Sequence, residues 1–465
     1  MSLSKRGLQA PRALVDDLES SYGHLTGICR MCAGGVGYGP TPMALREAGL
    51  RAAEIGGGYG PVAGEPALLA ALREKLFLHN GLDADSEGCS ILVTAGANQA
   101  FLNVLLAVAD GGDRVILFAP YYFSHYSACV LAGLQPVVLD IAEDGAAAEA
   151  LQRYAERKGA IDESASGKVR AVVVCTPCNP TGLVLENAAL WKIANICERH
   201  GWWLIVDEAY EHFDFEMQLT ERAGNLFVES AERPSSLAGM AVSKGRPYLM
   251  NRRTIHIFSM SKSFGMAGYR VGYTVCSRSI RAHEGRDLFD ILRRVNDTVA
   301  THASRQSQLL AVCVLHDIGC ITILQSRRLR VLLYVRELWQ WAISLARAGI
   351  VQLSPHWLND ASLEGTSERQ LRIGAFYVFF RVILNRERSA SCREARDTEL
   401  CRFLAEHYRV LVAPGSIFGM EPDDCWLRVS VGACCSNDVG ALREALHRLS
   451  NGITEYRHRR MSLKS

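Results

Sequence analysis

The chain has 465 residues, of which 49% are hydrophobic and 22% are charged, and its formal net charge is +2. This length exceeds one ordinary domain, and the composition excludes a disordered chain. A near-neutral charge gives no general argument for nucleic-acid binding, so we interpret local basic stretches such as Arg327 and Arg328 as solvated faces.

Between residues 60 and 280, short apolar runs alternate with segments of helical periodicity. The apolar runs are rich in valine and isoleucine, and we predict strands at 91–93, 114–118, 136–139, 169–174, 203–206, 254–258 and 271–275. Helical spacing lies between most of them, at 98–109, 146–157 and 186–200. The repeated order of strand, helix and strand predicts an α/β fold, with a large doubly wound domain whose mostly parallel sheet is covered on both faces.

The rest of the chain predicts a smaller α+β domain. Residues 213–253 are polar and rich in turn residues, which indicates a surface excursion. A long helical segment begins near Ser304, and strands are predicted at 370–384, 408–412 and 426–431. We therefore divide the chain into an N-terminal segment of residues 1–50 that packs with the small domain, a large domain of residues 51–305 and a small domain of residues 306–465.

The sequence shows no membrane or metal signal. No apolar run reaches the ~18 residues that cross a bilayer, and the start lacks the apolar core of a secretory signal. We expect a cytoplasmic protein with neither a membrane nor a nucleic-acid partner, whose 15 cysteines are reduced thiols. The pairs Cys29/Cys32 and Cys175/Cys178 have CxxC spacing but no matching ligands, so no metal site is expected.

Five of the predicted strands end in polar or aromatic groups. These groups occupy residues 94–96, 120–122, 176–182, 207–210 and 259–262. In a doubly wound sheet, ligands bind outside the carboxyl ends of the strands. The sequence therefore predicts that all five groups face one crevice.

The residue types in this crevice suit a cofactor with an aldehyde and a pyridine ring. Lys262 can form a Schiff base with an aldehyde, and Asp207 can pair with a pyridinium nitrogen. Tyr210 and Asn179 can donate hydrogen bonds to a ring oxygen, and Tyr122 can stack on the ring face.

The same crevice contains residues that can bind a phosphate group. The side chains of Ser259, Ser261 and Arg270 can bind a phosphate dianion. Backbone N–H groups would add to them where the next predicted helix opens, at Gly96, Ala97 and Asn98.

Six blocks of sequence resemble those of class I/II pyridoxal-phosphate aminotransferases, the aspartate aminotransferase superfamily of fold type I. The segment SMSKSFGMAGYRVGY at 259–273 resembles the lysine signature of that family, and NPTG at 179–182 and DEAY at 207–210 resemble two further blocks. The remaining three are GAFY, PGSIFG and WLRVS, at 374–377, 414–419 and 426–430. All six follow the family's order, and the resemblance covers residues 30–450.

The resemblance implies a role for each residue that matches a motif. Lys262 becomes the Schiff-base lysine and later the proton carrier, Asp207 the pyridinium partner, and Asn179 and Tyr210 the contacts of the ring 3-oxygen. Arg428 becomes the bidentate clamp on the substrate α-carboxylate, which suits a planar guanidinium.

Two further positions follow from the same resemblance. Gly35 lies where the family lines the substrate mouth, and Asn179 is implied as a further substrate contact. Tyr59 matches the tyrosine that reaches the phosphate of the neighbouring subunit, which implies a homodimer with shared active sites. The segment at 58–63 is also a formal G-x-G-x-x-A, but Pro61 interrupts it and a helical stretch precedes it, which argues against a dinucleotide site.

The implied activity is transfer of an amino group from an L-amino acid to a 2-oxo acid by a ping-pong mechanism, as part of amino-acid metabolism and biosynthesis. Aspartate, aromatic and kynurenine-like donors all stay open, because no arginine for a distal carboxylate can be placed around residues 293–297. The alternative is a lyase, or an enzyme like the aminocyclopropane-carboxylate synthases, on the same fold. A cofactor-sensing regulator is disfavoured, since fewer than 60 residues precede Tyr59 and could hold a DNA-binding module.

Overall fold

The structure is a computed structural model that describes residues 4–11, 14–85, 88–141, 147–158, 167–219, 226–227, 253–277, 287–317, 320–354, 369–384, 395–436 and 438–462. The polar excursion predicted at 213–253 lies largely outside these ranges.

The described helices and strands alternate between residues 89 and 207. The helices are α1 Lys5–Gln9, α2 Leu14–Tyr22, α3 Pro42–Leu50, α4 Pro66–Asn80, α5 Ala97–Val108, α6 Phe123–Leu131, α7 Ala147–Lys158, α8 Asn187–His200, α9 Leu288–Ala300, α10 Arg305–His316, α11 Cys320–Arg347, α12 Arg396–Tyr408 and α13 Val439–Ser462. The strands are β1 Cys29–Arg30, β2 Cys89–Thr94, β3 Arg114–Ala119, β4 Gln135–Asp140, β5 Val169–Cys175, β6 Trp203–Asp207, β7 Asp214–Leu219, β8 Leu226–Phe227, β9 Thr254–Ser259, β10 Gly272–Ser277, β11 Val351–Leu353, β12 Arg369–Gly374, β13 Tyr377–Val382, β14 Val410–Leu411, β15 Ala413–Pro414 and β16 Trp426–Ser430.

A seven-stranded sheet forms the centre of the described structure, in the order β2-β10-β9-β6-β5-β3-β4. The neighbours from β9 to β4 are parallel, whereas β10 is antiparallel to both β9 and β2. All seven strands predicted between residues 60 and 280 are present in this sheet. The prediction of a mostly parallel sheet is therefore confirmed, with β10 as its antiparallel member.

Helices cover both faces of this sheet. On β5, Val172 belongs to an apolar cluster with Leu151 of α7 and Ile193 of α8, whereas the next residue, Val173, belongs to a cluster with Phe101 of α5. Successive side chains of a strand point to opposite faces, so β5 needs apolar residues at both positions. This burial explains why β5 is a continuous run of apolar residues, and it confirms the doubly wound fold.

A second, antiparallel sheet carries the order β11-β13-β16-β15. A third sheet joins β12, β7 and β8, and β7 is antiparallel to β12. Residues 214–219 thus begin the predicted excursion as a strand. Phe213 and Phe215 are buried on either side of Asp214, and Asp214 forms an ion pair of 2.6 Å with Arg372.

The N-terminal segment contacts more than one part of the fold. β1 pairs in parallel with β14, with Cys29 opposite Val410, whereas α3 packs against α10. The domain boundaries at residues 50 and 305 stay a prediction. Among the described helices, none is long and apolar enough to cross a bilayer.

Candidate active site

The carboxyl ends of three central strands lie side by side. Cys175, the last residue of β5, is in register with Asp207, the last residue of β6, and Asp207 is in register with Ile257 of β9. Because these strands are parallel, the segments that follow them leave the sheet at the same edge. The sheet therefore brings Asn179, Tyr210 and Lys262 into one crevice, as the sequence predicts.

Lys262 lies three residues after the end of β9, in the segment that turns toward β10. Its Nζ donates a hydrogen bond of 2.5 Å to the Gly34 carbonyl and lies 5.6 Å from the centroid of the Tyr210 ring. Burial lowers the pKa of Lys262 to about 8, and the charges of Arg428 and Arg270 act in the same direction. A large fraction of this amine is therefore neutral, and hence nucleophilic, near pH 8.

Asp207 is buried and hydrogen-bonded through both carboxylate oxygens. Its Oδ2 lies 3.0 Å from His125 Nε2, and its Oδ1 accepts a hydrogen bond of 3.0 Å from the Ala209 N–H. The His125 ring stacks obliquely on Phe101, with a centroid distance of 4.3 Å, and meets Tyr122 edge-on at 5.2 Å. Sequence reasoning missed His125, although its position three residues after Tyr122 at the same strand end could have indicated it.

Tyr210 forms a hydrogen bond with a second tyrosine. The hydroxyl oxygens of Tyr210 and Tyr377 are 2.6 Å apart, and both side chains are buried. Tyr377 lies in the GAFY block at residues 374–377, yet nothing in that block indicates a contact with Tyr210. The partner is 167 positions away in the chain, so only the fold brings the two phenols together.

Arg428 is buried on β16, with 2% exposure. Its Nη1 donates to Asn179 Oδ1 at 2.8 Å, its Nη2 donates to the Cys32 carbonyl, and its Nε is buried without a hydrogen-bond partner in the described structure. The guanidinium lies over the rings of Tyr377 and Phe418, at 4.6 and 4.9 Å from their centroids. A planar cation with an unsatisfied N–H suits a carboxylate ligand.

Two adjacent glycines lie near this cluster, and they differ in their surroundings. A Cβ at Gly34 would lie 3.1 Å from the Tyr377 hydroxyl and 4.0 Å from Lys262 Nζ, whereas a Cβ at Gly35 would meet no atom within 4 Å. Gly34 therefore borders the amine, and Gly35, the predicted mouth residue, faces open space.

A cradle for an anion lies at the N-terminus of α5. Gly96 precedes the helix with φ of 86° and provides no side-chain cap, and a Cβ there would lie 2.2 Å from Arg270 Nη2. Arg270 Nη1 is 3.5 Å from Ser261 Oγ, and the Ser261 N–H donates to Ser259 Oγ at 3.1 Å. The first residues of α5, Ala97 and Asn98, present their N–H groups at this end. A helix N-terminus beside a guanidinium suits a phosphate dianion.

Tyr59 lies apart from this cluster. Its side chain is 89% exposed, and its ring meets His302 edge-on at a centroid distance of 6.1 Å. By contrast, Lys262 lies against Tyr210, and Asn179 is hydrogen-bonded to Arg428.

The donor set of the crevice fits pyridoxal phosphate. An amine with a lowered pKa, a buried carboxylate, a phenol and an anion cradle match its aldehyde, ring nitrogen, ring oxygen and phosphate. The cradle exists only because Gly96 lacks a side chain, and the orphaned Arg428 Nε offers a separate place for a substrate carboxylate.

Comparison with known proteins agrees with this chemistry. The family described as aminotransferase class I and II matches residues 30–348. The aromatic aminotransferase ISS1 of Arabidopsis thaliana is 28% identical over 99% of this chain and 98% of its own. A bifunctional aspartate and glutamate/aspartate-prephenate aminotransferase of Petunia hybrida is 28% identical over 92% of this chain and 76% of its own. The solved structure of a double mutant of Thermus thermophilus aspartate aminotransferase, at 22% identity, shares the fold with a TM-score of 0.70 over 97% of this chain and all of that one.

Proposed function

The chain belongs to the aminotransferase class I and II family, and we propose that the crevice around Lys262 is its active site and holds pyridoxal phosphate. The protein is a transaminase, whose substrates are amino acids and 2-oxo acids. The observation that carries the assignment of the site is the Lys262 amine, whose pKa is lowered to about 8 beside Asp207, Tyr210 and Arg428.

Bound pyridoxal phosphate supplies an aldehyde carbon that accepts amines and a ring that withdraws electrons from that carbon. The Asp207 carboxylate, oriented by His125, holds a proton on the ring nitrogen. The Tyr210 hydroxyl and the Asn179 amide hold the ring oxygen, and Tyr122 covers a ring face. Arg270, the two serines at 259 and 261 and the N-terminus of α5 hold the phosphate.

Lys262 has two roles in this proposal. Its Nζ would hold the cofactor through the aldehyde carbon until an amino substrate took that place. As a free amine of lowered pKa, it would accept a proton from the substrate Cα near pH 8 and donate it again. The same lysine serves both halves of a ping-pong cycle, first with the amino acid and then with the 2-oxo acid.

Arg428 binds the substrate α-carboxylate, and its surroundings favour an aromatic donor. The Phe123 ring lies between the rings of Tyr122 and Phe418, at centroid distances of 4.8 and 6.1 Å. Phe418 also lies against the Arg428 guanidinium. A donor clamped by Arg428 would place its side chain near these rings, and an aromatic side chain gains contact area there that a carboxylate does not. The activity named for the Arabidopsis relative agrees.

Covalent attachment tests the site. Borohydride reduction of the protein loaded with pyridoxal phosphate should fix a pyridoxyl label on Lys262, and Lys262→Ala should abolish both the label and the visible absorbance band. Lys192→Ala, which removes an exposed lysine, is the matched control and should change neither. A Lys262→Ala variant that keeps band and turnover would refute the assignment.

The donor and the reaction are tested with single amino acids. Phenylalanine should convert the bound cofactor to its amino form in one equivalent and more efficiently than aspartate. Release of ammonia or of an unsaturated product would instead support the lyase alternative. A higher kcat/KM for aspartate would refute the aromatic preference and leave the transaminase assignment intact.

A homodimer with shared sites would explain the exposure of Tyr59. This side chain is 89% exposed, and on α3, which precedes it in the chain, Leu50 is 80% and Met43 is 54% exposed. Met43 and Leu50 are seven positions apart and so share one face of this helix, and apolar side chains exposed on one face are typical of an interface. We propose that these residues pack against a second copy and that Tyr59 reaches the partner's anion cradle.

Mixed dimers test this arrangement sharply. Lys262→Ala and Tyr59→Ala subunits, each defective alone, should together form one intact site, because the intact Lys262 would meet the intact Tyr59 of the other subunit. The purified heterodimer should have close to half the activity of the wild-type dimer, and an equal mixture after random subunit exchange close to a quarter. No gain on mixing, in a sample that light scattering shows to be dimeric, would place Tyr59 outside the partner's site.

Two further expectations from the sequence stay predictions. Limited proteolysis of the purified chain would test the division at residues 50 and 305. Cell fractionation would test the cytoplasmic location.

A further inference from the structure

Tyr377 is a buried phenol that borders groups used by the proposed function. It begins β13, and its side chain has 0% exposure. Its hydroxyl oxygen lies 2.6 Å from that of Tyr210, and its ring centroid lies 4.6 Å from Arg428 Cζ. One side chain therefore contacts both the phenol that faces the cofactor and the guanidinium that faces the substrate.

The third neighbour of the Tyr377 phenol is Gly34, whose carbonyl accepts the hydrogen bond from Lys262. A Cβ at Gly34 would be 3.1 Å from the Tyr377 hydroxyl and 4.0 Å from Lys262 Nζ, and the Gly34 carbonyl accepts the hydrogen bond from that amine. Gly34 therefore lies between the Tyr377 hydroxyl and the Lys262 amine.

The hydrogen bond between the two phenols has one direction that is compatible with the proposed function. A phenol donates a single proton and can accept a hydrogen bond at its oxygen. If Tyr210 donates its proton to the ring oxygen of the cofactor, it can only accept from Tyr377. Tyr377 must then be the donor of the 2.6 Å hydrogen bond.

Both phenols keep their protons at neutral pH. Burial raises the pKa of Tyr377 to about 12, against the opposing effects of Arg428 and of the hydrogen bond to Tyr210. Burial also raises the pKa of Tyr210, so each hydroxyl has a proton to donate. The other titratable or charged groups that face the two phenols from the described elements are Arg428, Tyr122, Cys175 and Lys262.

We propose that Tyr377 is a positioning residue: it donates a hydrogen bond that strengthens Tyr210 as a donor to the cofactor ring oxygen, and its ring supports the Arg428 guanidinium. This inference rests on the proposed function. A phenol that accepts one hydrogen bond becomes a stronger donor of the next, and a cation over an aromatic face is held there. The hydroxyl and the ring of Tyr377 therefore have separable effects.

Tyr377→Phe tests the hydroxyl in the protein loaded with pyridoxal phosphate. Weaker donation by Tyr210 would stabilise the anionic ring oxygen less, so the midpoint pH of the Lys262-dependent absorbance band should rise by about 0.5. Tyr456→Phe removes another buried hydroxyl, on α13, and is the matched control that should leave the midpoint unchanged. A Tyr377→Phe midpoint that moves no further than that of the control would overturn the proposal.

Tyr377→Leu tests the ring, with 3-phenylpropanoate as an unreactive carboxylate probe. Its Kd should rise at least threefold in Tyr377→Leu and change less than twofold in Tyr377→Phe, which keeps the ring over Arg428. Equal weakening in both variants would contradict the separation of roles. If Tyr377→Leu does not fold, the titration of Tyr377→Phe decides alone. A wild-type protein without a Lys262-dependent band would refute the proposed function itself, and the role of Tyr377 would fall with it.

Discussion

The buried ion pair between Lys75 and Glu211 is the contact whose removal we expect to cost most outside the crevice. Lys75 Nζ lies 2.6 Å from both carboxylate oxygens of Glu211 and 2.8 Å from Asn80 Oδ1, and it lies 4.7 Å from the Phe258 ring centroid. The two charged side chains are only 3% and 8% exposed. Glu211 directly follows Tyr210, so α4 anchors the turn that carries this site residue.

Lys75→Met should destabilise the protein by about 3–5 kcal/mol, because it leaves the Glu211 carboxylate buried without its cation. Burial lowers the pKa of Lys75 even though Glu211 and Glu208 act to raise it, which shows that desolvation outweighs the attraction. Replacing both partners, as in Lys75→Met with Glu211→Leu, should therefore restore stability to within about 1 kcal/mol of the wild type.

Urea unfolding followed by fluorescence and by circular dichroism measures these free energies, provided that the two transitions coincide. The matched control is Lys192→Met, which breaks a pair with Glu149 whose side chains are 64% and 46% exposed, and it should cost less than about 0.5 kcal/mol. A cost below about 1 kcal/mol for Lys75→Met, or a double variant as unstable as the sum of the single ones, would refute the reasoning.

Three further predictions concern the crevice. In the cofactor-free protein, the rate of reductive alkylation of Lys262 should rise with pH to a plateau with a midpoint near pH 8, since only the neutral amine reacts. Asp207→Asn should lower that midpoint, because the charge of Asp207 raises the pKa of Lys262. A midpoint above pH 10 would contradict the burial of the amine. Gly96→Ala should weaken binding of pyridoxal phosphate at least tenfold and leave the affinity for pyridoxal unchanged in equilibrium dialysis, because Gly96 has a φ of 86° and a Cβ there would contact Arg270. Equal losses for both ligands would place the phosphate elsewhere. Arg428→Lys should raise the KM for amino acids at least tenfold with a smaller change in kcat, because an ammonium lacks the planar fork of N–H groups that matches a carboxylate. An unchanged KM would remove Arg428 from the substrate site.

The strands and the crevice could be predicted because their signals are local. A strand buried on both faces needs an apolar residue at every position, and β5 shows this as a continuous run. The direction of β10 could not be predicted in the same way, since β10 is buried at every position, as its parallel neighbour β9 is. β7 was missed because the alternation of Phe213, Asp214 and Phe215 is short and leads into a polar stretch.

Contacts between distant parts of the chain account for what the sequence did not show. His125 meets Asp207 across 82 positions, and Asn179 meets Arg428 across 249. Sequence motifs indicated Asp207 and Arg428 as candidate site residues, because their blocks are recognisable in isolation. The residues around His125 do not indicate which carboxylate it contacts, since the order of the strands in the sheet determines that.

The Arg428 guanidinium is held by the carbonyl of Cys32, which precedes it by 396 positions. The strands of the seven-stranded sheet all lie between residues 89 and 277. During synthesis, a growing polypeptide emerges from the ribosome with every strand of that sheet long before Arg428 is added. The proposed contact of Arg428 with a substrate carboxylate is therefore the last part of the proposed site to be synthesised, and a nascent chain interrupted ahead of β16 would have Lys262 and Gly96 but not this guanidinium.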